Sequence, residues 1–346
     1  MSLVDESAYH RLYLIDTQLF GPEAVGSYIL ISKQTGKAAI IEDSVSCGLK
    51  YIMDGLKTAE LKPEDVQYLM VTHIHLDHAG CSGSLMKLLP NATFVCHQRG
   101  ARHMADPTAL VAGAKAVYGE EFFNKNYGIV EPVPNEKIHS ITATPETFTL
   151  GEGCELRVEQ TMGHAPHHVF ITLWTPSNEE DSKSEKLCRG LFCGDNFFAE
   201  YPFFRDGGRK SKHILLYTSP PQFDPDSWHK AADRVGVLHP QLIYLTHFGV
   251  VDYEDWMPGE VHKKLDELVA LLPPDGDDAT SSATPSSPSV VYNADYFEQK
   301  LVPIITTPET RTQPVLQSDI KVLAKGIESL YLYRQKMKAK AAEEKK

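Results

Sequence analysis

Between Val71 and Gly80 the chain reads V-T-H-I-H-L-D-H-A-G, which places His73, His75, Asp77 and His78 within six positions. Imidazole nitrogens and carboxylate oxygens, with no thiolate among them, suit zinc, with iron and manganese as the alternatives. A catalytic zinc takes three protein ligands and keeps one position open. Four donors exceed the needs of one ion, and the surplus suggests two metals close together. A polar turn whose histidines bond backbone or water is the plainer reading of a lone histidine. It accounts poorly for three histidines and an aspartate at this spacing.

Other elements must position these groups. The apolar run Tyr68–Val71 reads as the end of a buried strand. Side chains alternate along an extended backbone, so His73 and His75 are expected on one side. Asp77 and His78 fall where the chain turns, ahead of a helix over Ser82–Leu89. His164 lies in the Gly- and Pro-marked turn of T-M-G-H-A-P-H-H-V-F, before a strand over Val169–Thr175. Asp195 ends the strand Gly190–Cys193, where an unpaired buried carboxylate would be costly; its alternative is a turn or N-cap aspartate. His247 follows the strand Gln241–Leu245 and a threonine, repeating Thr72–His73. Four strand ends thus offer ligand-type side chains to one rim, where sites in layered α/β folds lie.

Taken in order, T-H-I-H-L-D-H-A-G, G-H-A-P-H-H, F-C-G-D and L-T-H-F-G resemble the metallo-β-lactamase-fold hydrolase superfamily, from about residue 10 to 272. That resemblance implies an α/β (α+β) fold, a four-layer αββα sandwich, here with a C-terminal helical extension. It implies that His73, His75 and His164 bind one metal, that Asp77, His78 and His247 bind a second, and that Asp195 bridges them. The nucleophile would be a metal-bridging hydroxide, with Asp77 and Asp195 as the catalytic carboxylates. Two zinc ions are the implied cofactor, with iron or manganese as substitutes. Ser219–Trp228 and Asp106–Gly119 look similar to a largely uncharacterised bacterial and archaeal branch. His167 departs from the pattern, since related chains often have Gly there. His168 matches their second histidine and is expected beside the metals. Phe197 and Tyr217 are the pocket candidates, Phe197 as part of an aromatic stretch that equally reads as core packing.

The implied activity is hydrolysis of a small ester, thioester or lactone, because glyoxalase II-like thioesterases share the seven-ligand set. A mononuclear iron oxidoreductase resembling persulfide dioxygenase would need only His73, His164 and Asp195, and leaves His247 unexplained. A metal-stabilised binding protein without activity would be expected to lack ligands, and all seven are present.

The composition fits this reading. A 346-residue chain with 42% hydrophobic and 23% charged residues has room for one large globular domain. A net charge of −12 argues against nucleic acid as partner, and no apolar run is long enough for a membrane helix. A small-molecule substrate is therefore the expected partner. Six scattered cysteines without a C-x-x-C pair, and no secretory or transit pattern at the N-terminus, make the cytoplasm the expected compartment. The chain divides into a hydrolase domain (10–272), a low-complexity linker (273–289), a helical extension (290–337) and a charged tail (338–346). The extension, with Ser318 as the expected cap of its closing helix, could cover the pocket or form a homodimer contact.

Overall fold

A computed structural model describes residues 1–205, 207–220, 222–273 and 292–343. Among them, one sheet runs in chain order: β1 (Ser2–Glu6), β2 (His10–Asp16), β3 (Gly26–Ser32), β4 (Ala38–Ile41), β5 (Val66–Met70), β6 (Thr93–His97) and β7 (Ile138–Ile141). β1 to β4 are antiparallel and β4 to β7 parallel. Parallel neighbours need crossovers. These are α1 (Gly48–Thr58), the pair α2 (Leu76–Ala79) and α3 (Ser82–Leu88), and the group α4 (Gln98–Ala105), α5 (Thr108–Tyr118) and α6 (Glu120–Asn126).

The second sheet contains β8 (Glu146–Gly151), β9 (Cys154–Gln160), β10 (Val169–Asn178), β11 (Asp181–Phe192), β12 (Leu242–Leu245) and β13 (Gly249–Asp252), in the order β13-β12-β11-β10-β9-β8. It is antiparallel except for β11–β12, which α7 (Pro225–Leu238) connects. After β13 come α8 (Met257–Val269), α9 (Ala294–Ile305) and α10 (Pro314–Glu343).

The layering follows from β3, G-S-Y-I-L-I-S, which is buried along its whole length. Tyr28 and Leu30 enter the core between the sheets with Phe170, Phe192 and Tyr244. Ile29 and Ile31 point the other way, onto Ile52 and Leu56 of α1. An unbroken apolar strand is what a sheet covered on both faces requires. The result is an αββα sandwich. Tyr28 also ties the sheets together near the site, its hydroxyl donating to the Leu245 carbonyl at 2.7 Å, just before His247. In α9 and α10, Phe297, Leu301, Ile320, Leu323 and Ile327 are buried in the same core as the sheets.

The structure departs from the sequence reading in several places. The backbone leaves β5 at Met70, so His73 and His75 come from a loop rather than a strand. The polar run Ser177–Lys186 reads as an exposed hairpin loop; the hairpin is there, but most of the run lies in the arms of β10 and β11, with Asn178 paired to Asp181. Cross-strand backbone bonds form whatever the side chains are, so polarity alone did not mark a loop there. β1 and β13 were not anticipated, being short and, for β1, largely exposed. Helix α1, for which residue type would offer Ser44 or Ser46 as the cap, has its N-cap at Cys47. Ser44 Oγ instead accepts from Thr17, and Ser46 Oγ donates to the Tyr127 carbonyl. Ser318 is no cap, because α10 starts earlier, at Pro314, and continues to Glu343 through most of the expected tail. Of the expected linker, only Pro273 lies within the described residues.

Candidate metal centre

The seven side chains singled out by the sequence converge in two groups. His73, His75 and His164 form one, and Asp77, His78, Asp195 and His247 the other; within each, the ligand atoms lie within 4.8 Å of one another. His75 Nδ1 is 2.9 Å from both His73 Nε2 and His164 Nε2. In the second group Asp77 Oδ2 is 3.6 Å from His78 Nε2 and 3.4 Å from His247 Nε2. Asp195 lies between the groups. Its Oδ1 is 3.4 Å from His78 Nε2 and 3.5 Å from His247 Nε2, while its Oδ2 is 3.7 Å from His164 Nε2.

The surroundings fix which nitrogen of three of the rings faces inward. A carbonyl or carboxylate accepts only from an N–H, so a ring nitrogen bonded to one carries the proton and leaves the other's lone pair free. His164 Nδ1 donates to the Tyr217 carbonyl at 2.6 Å, His247 Nδ1 to the Ala24 carbonyl at 3.1 Å, and His78 Nδ1 to Glu42 Oε2 at 2.8 Å. Glu42 Oε1 also accepts from the Thr72 amide at 3.0 Å, holding the start of the ligand loop. Among the described residues, the inward atoms His78 Nε2, His247 Nε2 and Asp195 Oδ1 are buried without a hydrogen-bond partner. Groups buried that way are costly unless something else satisfies them. Cations at the two foci would do so, and the donor set fits them.

The electrostatics agree. Burial, reinforced by neighbouring imidazoles, holds His73 and His75 well below the usual histidine range, so both are neutral donors. For His78, burial pulls downward, but Asp195, Asp77 and Glu42 outweigh it and raise it well above the usual histidine range. His247 is raised in the same way by Asp195 and Asp77. Asp77 is lowered to about 2 because His78 and His247 outweigh its desolvation, so it is a carboxylate. The second group thus favours positive charge, which bound metal would supply.

The groups open into a cavity of about 770 Å³, to which His75, Asp77, His164, Asp195 and His247 contribute. Helices α4, α5 and α6, residues 217–220 with Gln222, and the start of α10 supply further walls. Tyr217 is there, its ring 4.8 Å from that of His247 and its hydroxyl donating to Asp319 Oδ2 of α10 at 2.5 Å. Tyr201 also donates to Asp319, at 2.8 Å, and contacts the Tyr217 hydroxyl. His168 is buried outside both groups, its ring 5.1 Å from that of His73 and its Nδ1 3.0 Å from Thr161 Oγ1. His167 lines the cavity, and burial lowers it to about 3.

Phe197 is not in the cavity. It is fully buried in the core between the sheets, as is Phe198. Of that aromatic stretch Tyr201 alone reaches the cavity. Sequence reasoning did not single out Glu42, nor Asp319 and His103, which both line the cavity. Glu42 carried a usable signal, since it follows an apolar strand as Asp195 does. Asp319 carried none, because only packing brings α10 to the site.

The family described as the metallo-beta-lactamase superfamily matches residues 21–179. Residues 21–179 thus belong to the metallo-β-lactamase superfamily, and the chain as a whole has its fold. It is 30% identical over 191 residues to glyoxylase B2 of Dictyostelium discoideum, covering 51% of this chain and 53% of that one. A metallo-beta-lactamase fold-containing protein of Sulfurisphaera tokodaii is 22% identical over 191 residues, covering 54% of this chain and 62% of its own. An N-acyl homoserine lactonase of Rhizobium radiobacter is 27% identical over 129 residues, 37% of this chain and 43% of the lactonase. The matched region therefore spans less than two thirds of each of these relatives. Among solved structures, an archaeal metallo-beta-lactamase superfamily protein of Sulfolobus tokodaii superposes with a TM-score of 0.59 at 19% identity, covering 91% of this chain and 97% of that one. A metallo-beta-lactamase family protein of Thermus thermophilus gives 0.57 at 21%, covering 94% and 93%. Among the described residues no helix is long and apolar enough to cross a membrane.

Proposed function

We propose that the protein is a dinuclear metal-dependent hydrolase of a small ester, thioester or lactone. The observation that carries this is the pair of donor groups joined at Asp195, with buried inward atoms that have no hydrogen-bond partner among the described residues. In this reading His73, His75 and His164 hold one ion, Asp77, His78 and His247 the other, and Asp195 contacts both. The bound ions would activate water as the nucleophile and polarise the scissile carbonyl. The chain's own residues orient the reactants. Asp77 is partly exposed and ionised, so its carboxylate can hold the attacking water by a hydrogen bond from the cavity side. Asp195, held between His78, His247 and His164, keeps the two donor groups in register. Walls from α5 and α6 limit the access of bulk water, which strengthens these electrostatic interactions.

The named relatives support the bond class, since one is called a glyoxylase and another an N-acyl homoserine lactonase. Neither tells which bond this chain cleaves. The test is elemental analysis of the purified protein together with a panel of esters, thioesters and lactones. Two ions per chain with turnover of one class is the expected result. Two ions with no turnover would sink the hydrolase reading, and a single iron with oxygen uptake on glutathione persulfide would replace it.

A further inference from the structure

The cavity has two chemically different sides, and we infer that it is built for an amphipathic anion. Its apolar part would pack on α5 and α6, and its anionic oxygens, from a carboxylate or a phosphate, would bind Arg99 and Arg102. This deepens the hydrolase proposal by naming a substrate class.

The apolar side is unusual for its sequence. Helix α5 reads T-A-L-V-A-G-A-K-A-V-Y, yet none of its residues is fully buried. Leu110, Ala114 and Val117 face the cavity instead, together with the aromatic group of Phe20, Tyr118 and Phe122. Phe122 stacks with Phe20 at 6.1 Å and with Tyr118 at 5.7 Å. Apolar surface gathered around a concave site is where a ligand's hydrocarbon gains most from leaving water.

The basic side comes from α4. Arg99 and Arg102 are three apart on one helix and so are neighbours on its surface; both line the cavity. The helix is pressed against the ligand loop, since a Cβ added at Gly100 would lie 2.6 Å from Ile74 Cγ2. Ile74 sits between His73 and His75, which ties the basic rim to the metal-binding loop. Arg157, Arg189, Arg205 and Arg234 each hold a carboxylate. Among the described residues neither Arg99 nor Arg102 has a carboxylate within ion-pair distance, in a chain whose net charge is −12. Arg102 Nε donates to His103 Nε2 at 3.2 Å, which steadies its guanidinium on the helix. Two guanidinium groups give a forked, charge-assisted grip on anionic oxygens.

The test measures binding to the metal-loaded protein by calorimetry, with 4-phenylbutyrate, 4-phenylbutyl phosphate and the neutral 4-phenylbutyramide. The wild type is expected to prefer at least one of the two anions over the amide. In Arg99→Met/Arg102→Met that preference should fall about tenfold, the size of one charge-assisted hydrogen bond at a partly solvated site. The phosphate-to-carboxylate ratio identifies the anion. Equal affinity for anion and amide, no binding of any probe, or an anion preference that survives the double substitution would each overturn the inference. The last outcome would place the anion on the metal ions. Because binding is the readout, a chain that hydrolyses no ester refutes the hydrolase proposal while the subsite is still decided.

Discussion

Glu42→Gln should weaken one metal and spare the other. The two oxygens of Glu42 divide their work, Oε1 accepting from the Thr72 amide at 3.0 Å and Oε2 from His78 Nδ1 at 2.8 Å. Glutamine has the same shape but one acceptor oxygen and an NH2 group. Whichever way the amide turns, one buried donor then faces another donor. If Thr72 keeps its bond, His78 must leave its Nδ1 proton unpaired or move it to Nε2, where it would occupy the ligating lone pair. An unsatisfied buried donor costs about 1–3 kcal/mol, and loss of the group that orients a ligating histidine typically costs about 10–100-fold in metal affinity. Those ranges overlap at roughly 1.4–2.8 kcal/mol, taking 1.4 kcal/mol per decade. Zinc titration of apo-protein with a competing chelator, followed by elemental analysis after dialysis, reads this directly. One ion should be retained on the His73, His75 and His164 side, while the other is lost about 10–100-fold more readily, with kcat/KM falling in parallel. Wild-type affinity at both sites would refute the reasoning. Equal weakening of both would show a general loosening of the fold, since Glu42 bonds His78 and none of the first-group histidines.

Asp195→Asn keeps the volume but removes the charge that faces both groups, so both ions should bind more weakly and kcat/KM should fall by about 100-fold or more; metal counts and kinetics on the ester panel check it. Gly326→Ala would place a Cβ 2.7 Å from the Thr218 backbone. It should push α10 off the segment that holds His164 through Tyr217, lowering stability by about 1–3 kcal/mol in thermal unfolding and reducing activity. Asp5 is buried, yet His10, Arg189 and Tyr244 hold its carboxyl far below the ordinary 3.8. A depressed carboxyl stabilises the fold above its unfolded value and loses that contribution as pH falls further. Asp5→Asn should therefore be about 3–5 kcal/mol less stable at pH 7, with the gap to wild type narrowing below about pH 4 in denaturant titrations.

The donors were legible in the sequence because their chemistry is local. Few interiors place three histidines and an aspartate in six positions, and the apolar runs before His73, Asp195 and His247 marked them as strand-end residues. Phe197 went the other way, since a phenylalanine after a ligand suits a core as well as a pocket, and packing chose the core. The sequence by itself therefore offered a candidate donor set, a surplus over one ion and an α/β alternation, because those follow from residue type and periodicity, while the four-layer sandwich was implied by the family resemblance. Tertiary structure decided which nitrogen of three of the rings faces the centre, that Glu42 and the Tyr217 carbonyl fix it, and that α10 closes the cavity with Asp319. Those depend on partners far apart in the chain, and residue identity carries no record of which distant carbonyl a ring will meet.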